Sequence, residues 1–126
     1  PVQEFAELVA AALKTLGLED LAVVQKFDVR PLQVLHQLNP KLQLALLIEN
    51  TQGFETNLER LGFTPFAYSP YYLLVDAKLV RRCKEKNIRL IPWTVNDVPA
   101  MRRLIRLGVD GIITDYPNLI GAATGE

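Results

Sequence analysis

An α/β protein with a parallel sheet is the fold class that this sequence predicts. Three observations lead there. Strand-like and helix-like segments alternate about five times along the 126 residues. The strand-like segments, such as "LQLALLI" at 42–48, are continuous apolar runs rather than alternating ones. A strand with both faces buried under helices has that composition, and parallel sheets are buried in this way. Glycines stand where the helical patterns stop, at Gly17, Gly62 and Gly108. Two architectures satisfy these observations: an open doubly wound sheet, or a stretch of a (β/α)₈ barrel. The open sheet usually carries a glycine-rich phosphate turn after its first strand. Here the corresponding turn is "FDVRPL", without a glycine, which disfavours dinucleotide binding.

Each element follows from local chemistry. Residues 2–16 place Phe5, Leu8, Val9, Ala12, Leu13 and Leu16 at helical spacing, and Gly17 is positioned to end that helix. "LAVVQKF" at 21–27 reads as a strand. Asp28 then serves as the N-cap of a helix to residue 38, with Pro31 in its first turn. Asn39-Pro40 stops it, because a residue before proline avoids the α region. Residues 42–48 form a strand, 54–61 a helix, and 65–69 a short strand. Asp76 caps a helix over 76–86, whose basic C-terminal half suits the helix dipole. Strands at 88–95 and 111–114 flank a helix at 98–107. Pro92 removes a donor from the first of these strands, so an irregularity is expected beside Trp93.

Lys plus Arg and Asp plus Glu both number 14, so the formal net charge is zero. No overall field draws in nucleic acid or an anionic membrane. The basic cluster Arg81-Arg82-Cys83-Lys84 is followed by Glu85 and reads as a solvated helix face. The single cysteine, Cys83, shares a helical stripe with Leu79 and Val80 and reads as a buried structural thiol. No apolar run reaches the 18 residues of a membrane-spanning helix. The sequence opens at Pro1, inside a helical pattern, which suggests a piece of something longer.

Polar and aromatic residues gather where the strands end: Lys26, Phe27, Asp28, Glu49, Asn50, Tyr68, Ser69, Trp93, Thr94, Asn96, Asp97, Thr114, Asp115 and Tyr116. On a parallel scaffold, ligands bind at the carboxyl ends of strands. Asp28, Asp76 and Asp97 each precede a helical stretch and read as caps, and Asp115 fits a cap of a last short helix. There is one histidine, His36, placed on an outer helix face, and no metal-ligand spacing accompanies it. No nucleophile elbow or P-loop is present. A histidine acid–base pair therefore cannot be assembled from this chain.

"WTVND", a helix, and then "LGVDGIITDYP" resembles the C-terminal signature of the glycerophosphodiester phosphodiesterase family. "VVQKFD" resembles the family's strand ending Ser-Phe-Asp, and "LNPKLQLALLIEN" and "FAYSPYYLLVDAKLVRRCKEKNIRLIPWTVND" extend the match. The resemblance runs from about residue 5 to the end. It implies that residues 1–126 are the C-terminal half of one (β/α)₈ TIM barrel, about five strand–helix units of parallel sheet, since a complete barrel takes roughly 250 residues.

The resemblance further implies a metal-dependent hydrolase that cleaves glycerophosphodiesters to sn-glycerol 3-phosphate and an alcohol. Its catalytic histidines and metal carboxylates would lie upstream of Pro1, so no catalytic residue and no metal ligand is expected in this chain. The divalent cation, Mg or Ca, would belong to the intact parent. Phe27 and Trp93 match family positions that line the apolar side of the substrate pocket. Lys26 stands where the family usually has serine, and it either adds a phosphate contact or fills part of the pocket. The expected partners are the glycerophosphodiester substrate of the parent and either an N-terminal half-barrel or a second copy. No nucleic-acid partner and no membrane span are expected. Two other readings stand beside this one: a non-catalytic half-barrel for binding or assembly, and a different phosphate-binding barrel. The last is disfavoured because "ITDYPN" has no glycine to cradle a phosphate.

Overall fold

The computed structural model describes residues 1–125 as two compact units, Pro1–Ala67 and Tyr68 onward. The first unit begins with helix α1 (Val2–Leu16), closed by Gly17 in the left-handed conformation at φ 68°. Strand β1 (Val23–Lys26), helix α2 (Val29–Leu38), strand β2 (Gln43–Ile48) and helix α3 (Phe54–Leu61) follow. β1 and β2 pair in parallel, with Val23 opposite Gln43 and Lys26 opposite Leu46. α1 lies against α2. Leu32, Leu35, Leu44, Leu46, Ile48 and Leu61 are fully buried and form this unit's core. Burying a leucine is worth about 1.5–3 kcal/mol.

The expectation that every strand is covered on both faces fails at β1. Its residues alternate between exposed and half-buried. Leu21 is 80% exposed, and Phe27 is 46% exposed. Only Ala6 of α1 is buried, while Leu8 and Leu16 are 65% and 68% exposed. The apolar stripe of α1 is real, but within this unit it lacks a second layer to cover it.

The second unit contains strand β3 (Ala67–Pro70 begins at the junction), a 3₁₀ turn at Tyr72–Leu74, helix α4 (Ala77–Glu85), strand β4 (Arg89–Leu90), helix α5 (Val98–Leu107), a 3₁₀ turn at Pro117–Leu119 and helix α6 (Ile120–Thr124). β3 and the chain after β4 run parallel: the Tyr68 and Pro70 carbonyls accept the N–H groups of Ile91 and Trp93. Val75, Val80, Cys83, Leu90, Val95, Met101 and Leu104 make the core. The caps are as expected: Asp28, Asp76 and Asp97 accept backbone N–H bonds from Arg30, Leu79 and Ala100. Cys83 is buried, and burial, with Asp110 second, pushes its thiol up to about 12. It is a structural thiol, not a nucleophile.

Two expectations about strands require correction. β4 is two residues long rather than the run at 88–95, and the segment 111–114 is not a regular strand. The cause lies at Pro92. The Leu90 and Pro92 carbonyls accept N–H bonds from Asp110 and Ile113. One residue separates the acceptors and two separate the donors, so the register is broken. The Leu90 N–H bonds to the Asp110 carboxylate instead of a backbone carbonyl, and Pro92 has no N–H to give. "GIIT" is thus tied to its neighbour by single bonds rather than by a ladder.

Candidate functional site

In the first unit, three residues meet at the end of β1. The Lys26 ammonium lies 4.7 Å from the centre of the Phe5 ring, so α1 holds it by a cation–π contact. Phe27 is largely exposed beside it. Asp28 caps α2 and also receives the Arg30 guanidinium on both oxygens, with Nη2 to Oδ2 at 2.6 Å. The Arg30 side-chain hydrogen bond first, and its backbone N–H second, lower the Asp28 carboxyl from 3.8 to about 2. A depressed carboxyl stabilises the fold above its unfolded value and loses that contribution as pH falls through the folded value. The capped pair should therefore persist from neutral pH down to about pH 4 and dissolve toward pH 2. Following the Asp28 carboxyl carbon by NMR should give a midpoint near 2. In Arg30→Ala the midpoint should climb toward the ordinary aspartate value, and an unchanged midpoint would remove Arg30 as the cause.

At the end of β2, Asn50 and Asn57 bond to each other twice, at 3.1 and 3.2 Å. Asn57 is 1% exposed, and Arg60 adds a bond to its Oδ1. The pair fixes the β2–α3 loop, and the Glu49 side chain stands exposed next to it.

In the second unit, Trp93 is half-buried at the end of the β4 segment. Its indole Nε1 donates to the Ser69 carbonyl at 2.8 Å. Tyr71 meets the Trp93 ring edge-on, with centroids 5.5 Å apart and planes at 62°. Tyr72 packs against Tyr71 at 5.1 Å. The Tyr72 N–H and the Trp93 carbonyl close this aromatic corner. Tyr71 was not among the residues singled out from the sequence, although the "SPYY" pair is an aromatic signal.

Asp115 does not cap the last helix. The 3₁₀ turn that starts at Pro117 has no side-chain cap. Asp115 instead accepts from Asn96 Nδ2 at 3.0 Å, while Asn96 Oδ1 accepts the Asp115 N–H at 3.0 Å and the Thr114 hydroxyl at 3.3 Å. One asparagine clasps the loop after the segment 111–114. His36 lies away from these residues' roles and stacks on Phe63 at 4.0 Å. Among the described residues, no three His, Cys, Asp or Glu side chains stand close enough to share a metal ion.

Each unit thus presents aromatic and polar groups at carboxyl strand ends on an α/β scaffold. The glycerophosphoryl diester phosphodiesterase family model matches residues 2–119, and the chain belongs to that family. It is 30% identical over 114 residues to a glycerophosphodiester phosphodiesterase of Caldanaerobacter subterraneus, covering 90% of this chain and 46% of that protein. A solved structure from Silicibacter pomeroyi, assigned as a glycerophosphoryl diester phosphodiesterase, superposes with TM-score 0.86 at 26% identity, covering 97% of this chain and 43% of that one. An Oleispira antarctica phosphodiesterase solved with its product sn-glycerol 3-phosphate matches in fold, with TM-score 0.77, 21% identity, and coverage of 96% and 50%. The fold is a partial TIM barrel with parallel strands, and the chain spans about half the length of the relatives it matches.

Proposed function

We propose that this chain is the C-terminal portion of a glycerophosphodiester phosphodiesterase barrel and forms the apolar wall of its substrate pocket. The observation that carries the reading is the fixed Trp93 corner, with the indole held by Ser69 and braced by Tyr71. A glycerol moiety has an apolar carbon edge that packs on such a ring, and a ring already immobilised loses little entropy on binding. Phe27, exposed at the end of β1, is the second wall residue. Lys26 stands next to it with its ammonium over Phe5, and it either adds a phosphate contact or fills part of the pocket.

The acid–base histidines and the carboxylates for a divalent cation, Mg or Ca, belong to the other portion of the barrel. The cation supplies Lewis-acid stabilisation of the phosphoryl oxygens when bound there. Among the described residues no three His, Cys, Asp or Glu side chains cluster as a metal site, and the part proposed for them is to bind and orient the substrate. The expected products are sn-glycerol 3-phosphate and an alcohol, in line with the product in the Oleispira antarctica complex.

Trp93 provides the test in the intact parent enzyme. Trp93→Ala should lower kcat/KM for glycerophosphocholine by roughly tenfold or more, the worth of about 1–3 kcal/mol of packing. Trp93→Phe keeps the apolar wall and gives up one hydrogen bond, worth about 0.5–1.5 kcal/mol, so it should recover most activity. Unchanged kcat/KM together with a melting temperature lowered by many degrees would make Trp93 a core residue and overturn the reading.

A further inference from the structure

The zero net charge of the chain conceals a segregation. Residues 1–67 carry five Lys/Arg against eight Asp/Glu, whereas residues 68–126 carry nine against six. The excess cations of the second unit concentrate on α4 and α5. Val80 and Lys84 of α4 lie against the C-terminal end of α5: a Cβ at Gly108 would stand 3.7 Å from the Val80 methyl and 3.1 Å from Lys84 Nζ. Arg103 of α5 reaches back to donate to the Val75 carbonyl, just before α4, at 2.6 Å. The two helices are therefore neighbours. Arg81 is one turn before Lys84 and Arg106 one turn after Arg103, so all four cations border one seam. All four are exposed.

The two helices carry seven Lys/Arg between them. Asp76 and Asp97 keep their charge as caps at the N-terminal ends of the helices, and Asp110 follows α5 with its carboxylate on the Leu90 N–H. Glu85 is left as the carboxylate on α4 itself. Ile105, 40% exposed, lies away from this seam, on the side of α5 where Arg102 donates to the Ala122 carbonyl. Neither "AKLVRRCKE" nor "VPAMRRLIRL" contains an aromatic residue.

We propose that the seam between α4 and α5 is a docking surface for an anionic phospholipid bilayer. Lysine and arginine near an anionic leaflet are attracted to its surface potential. Single-stranded nucleic acid is the poorer match, because base stacking needs aromatic platforms that these helices lack. No helix of the described residues is long and apolar enough to cross a membrane, so the contact is peripheral. This surface is independent of the pocket wall and would bring the protein to a bilayer whatever its catalytic state.

The test is co-sedimentation of the purified chain with vesicles of pure phosphatidylcholine and with vesicles containing about a third phosphatidylglycerol. Binding is expected only to the anionic vesicles, and it should weaken as salt is raised. Each surface cation contributes about fivefold in affinity. Arg81→Gln, Lys84→Gln and Arg106→Gln combined should therefore lose roughly a hundredfold. These side chains are exposed, so the triple variant should keep the wild-type circular dichroism. As a matched control, Lys14→Gln with Lys41→Gln removes cations from the first unit and should leave vesicle binding unchanged. Equal binding to neutral vesicles, no binding to either, an unaffected triple variant, or tighter binding to a single-stranded oligonucleotide than to anionic vesicles would each overturn the proposal.

Discussion

Purified alone, the 126-residue chain should show no measurable hydrolysis of glycerophosphocholine, with or without added Mg²⁺ or Ca²⁺. General acid–base catalysis contributes typically about 10²–10⁴-fold, and it requires positioned groups that exchange protons at the reacting oxygen. The one histidine, His36, is stacked on Phe63. Of the carboxylates at strand ends, Asp28 is engaged with Arg30 and Asp115 with Asn96, while Glu49 is exposed with no histidine assigned beside it. Asp28 and Asp115 thus serve local structure. An assay of phosphate-ester release over a day, with a parent enzyme alongside, would resolve a loss of this size. Metal-dependent turnover by the isolated chain would show that acid–base groups are assembled from residues assigned here to structure.

The second large effect is on stability. Leu46 is fully buried at the end of the β1–β2 pairing, where its backbone stands opposite Lys26. Leu46→Ala removes the transfer free energy of the lost carbons and leaves a cavity, together worth about 2–5 kcal/mol. Whole domains are stable by about 5–15 kcal/mol, so this is a large fraction. In urea the midpoint should move to much lower concentration while the slope stays constant. A change under about 0.5 kcal/mol would mean that the β2 core is not packed as described.

Helix boundaries were legible because their signals are local. Asp28, Asp76 and Asp97 cap where expected, and Gly17, Gly62 and Gly108 adopt positive φ where the helices end. Strands were less legible, because a ladder depends on its neighbour. Pro92 was visible as a missing donor, but its consequence appears two segments away, in the broken register of 111–114. The same limit applies to side chains. Asp115 has the composition of a cap, and only the fold brings Asn96 within 3.0 Å of it. Lys26 offered two readings beside the pocket, and its contact with Phe5 depends on a helix that precedes β1 in the chain. Charge totals misled more simply, since a balance of zero hides two units of opposite sign.

The central claim is that this chain is one portion of a barrel whose remainder completes both the sheet and the active site. The exposed side chains of Val23 in β1, of Leu21 and Phe27 flanking it, and of Leu8 and Leu16 on α1 are what such a missing neighbour would cover. Exposed apolar strands invite pairing, and apolar patches above a few hundred Å² are rare on soluble monomers. The proposed partner is the N-terminal half-barrel or, without it, a second copy of this chain, most simply as a two-fold pair. Light scattering of the purified chain at micromolar concentration measures this directly. The account predicts a mass at least twice 14.2 kDa, or a stable complex with the N-terminal portion when that is co-expressed. A monodisperse 14.2 kDa species that ignores the N-terminal portion would contradict it.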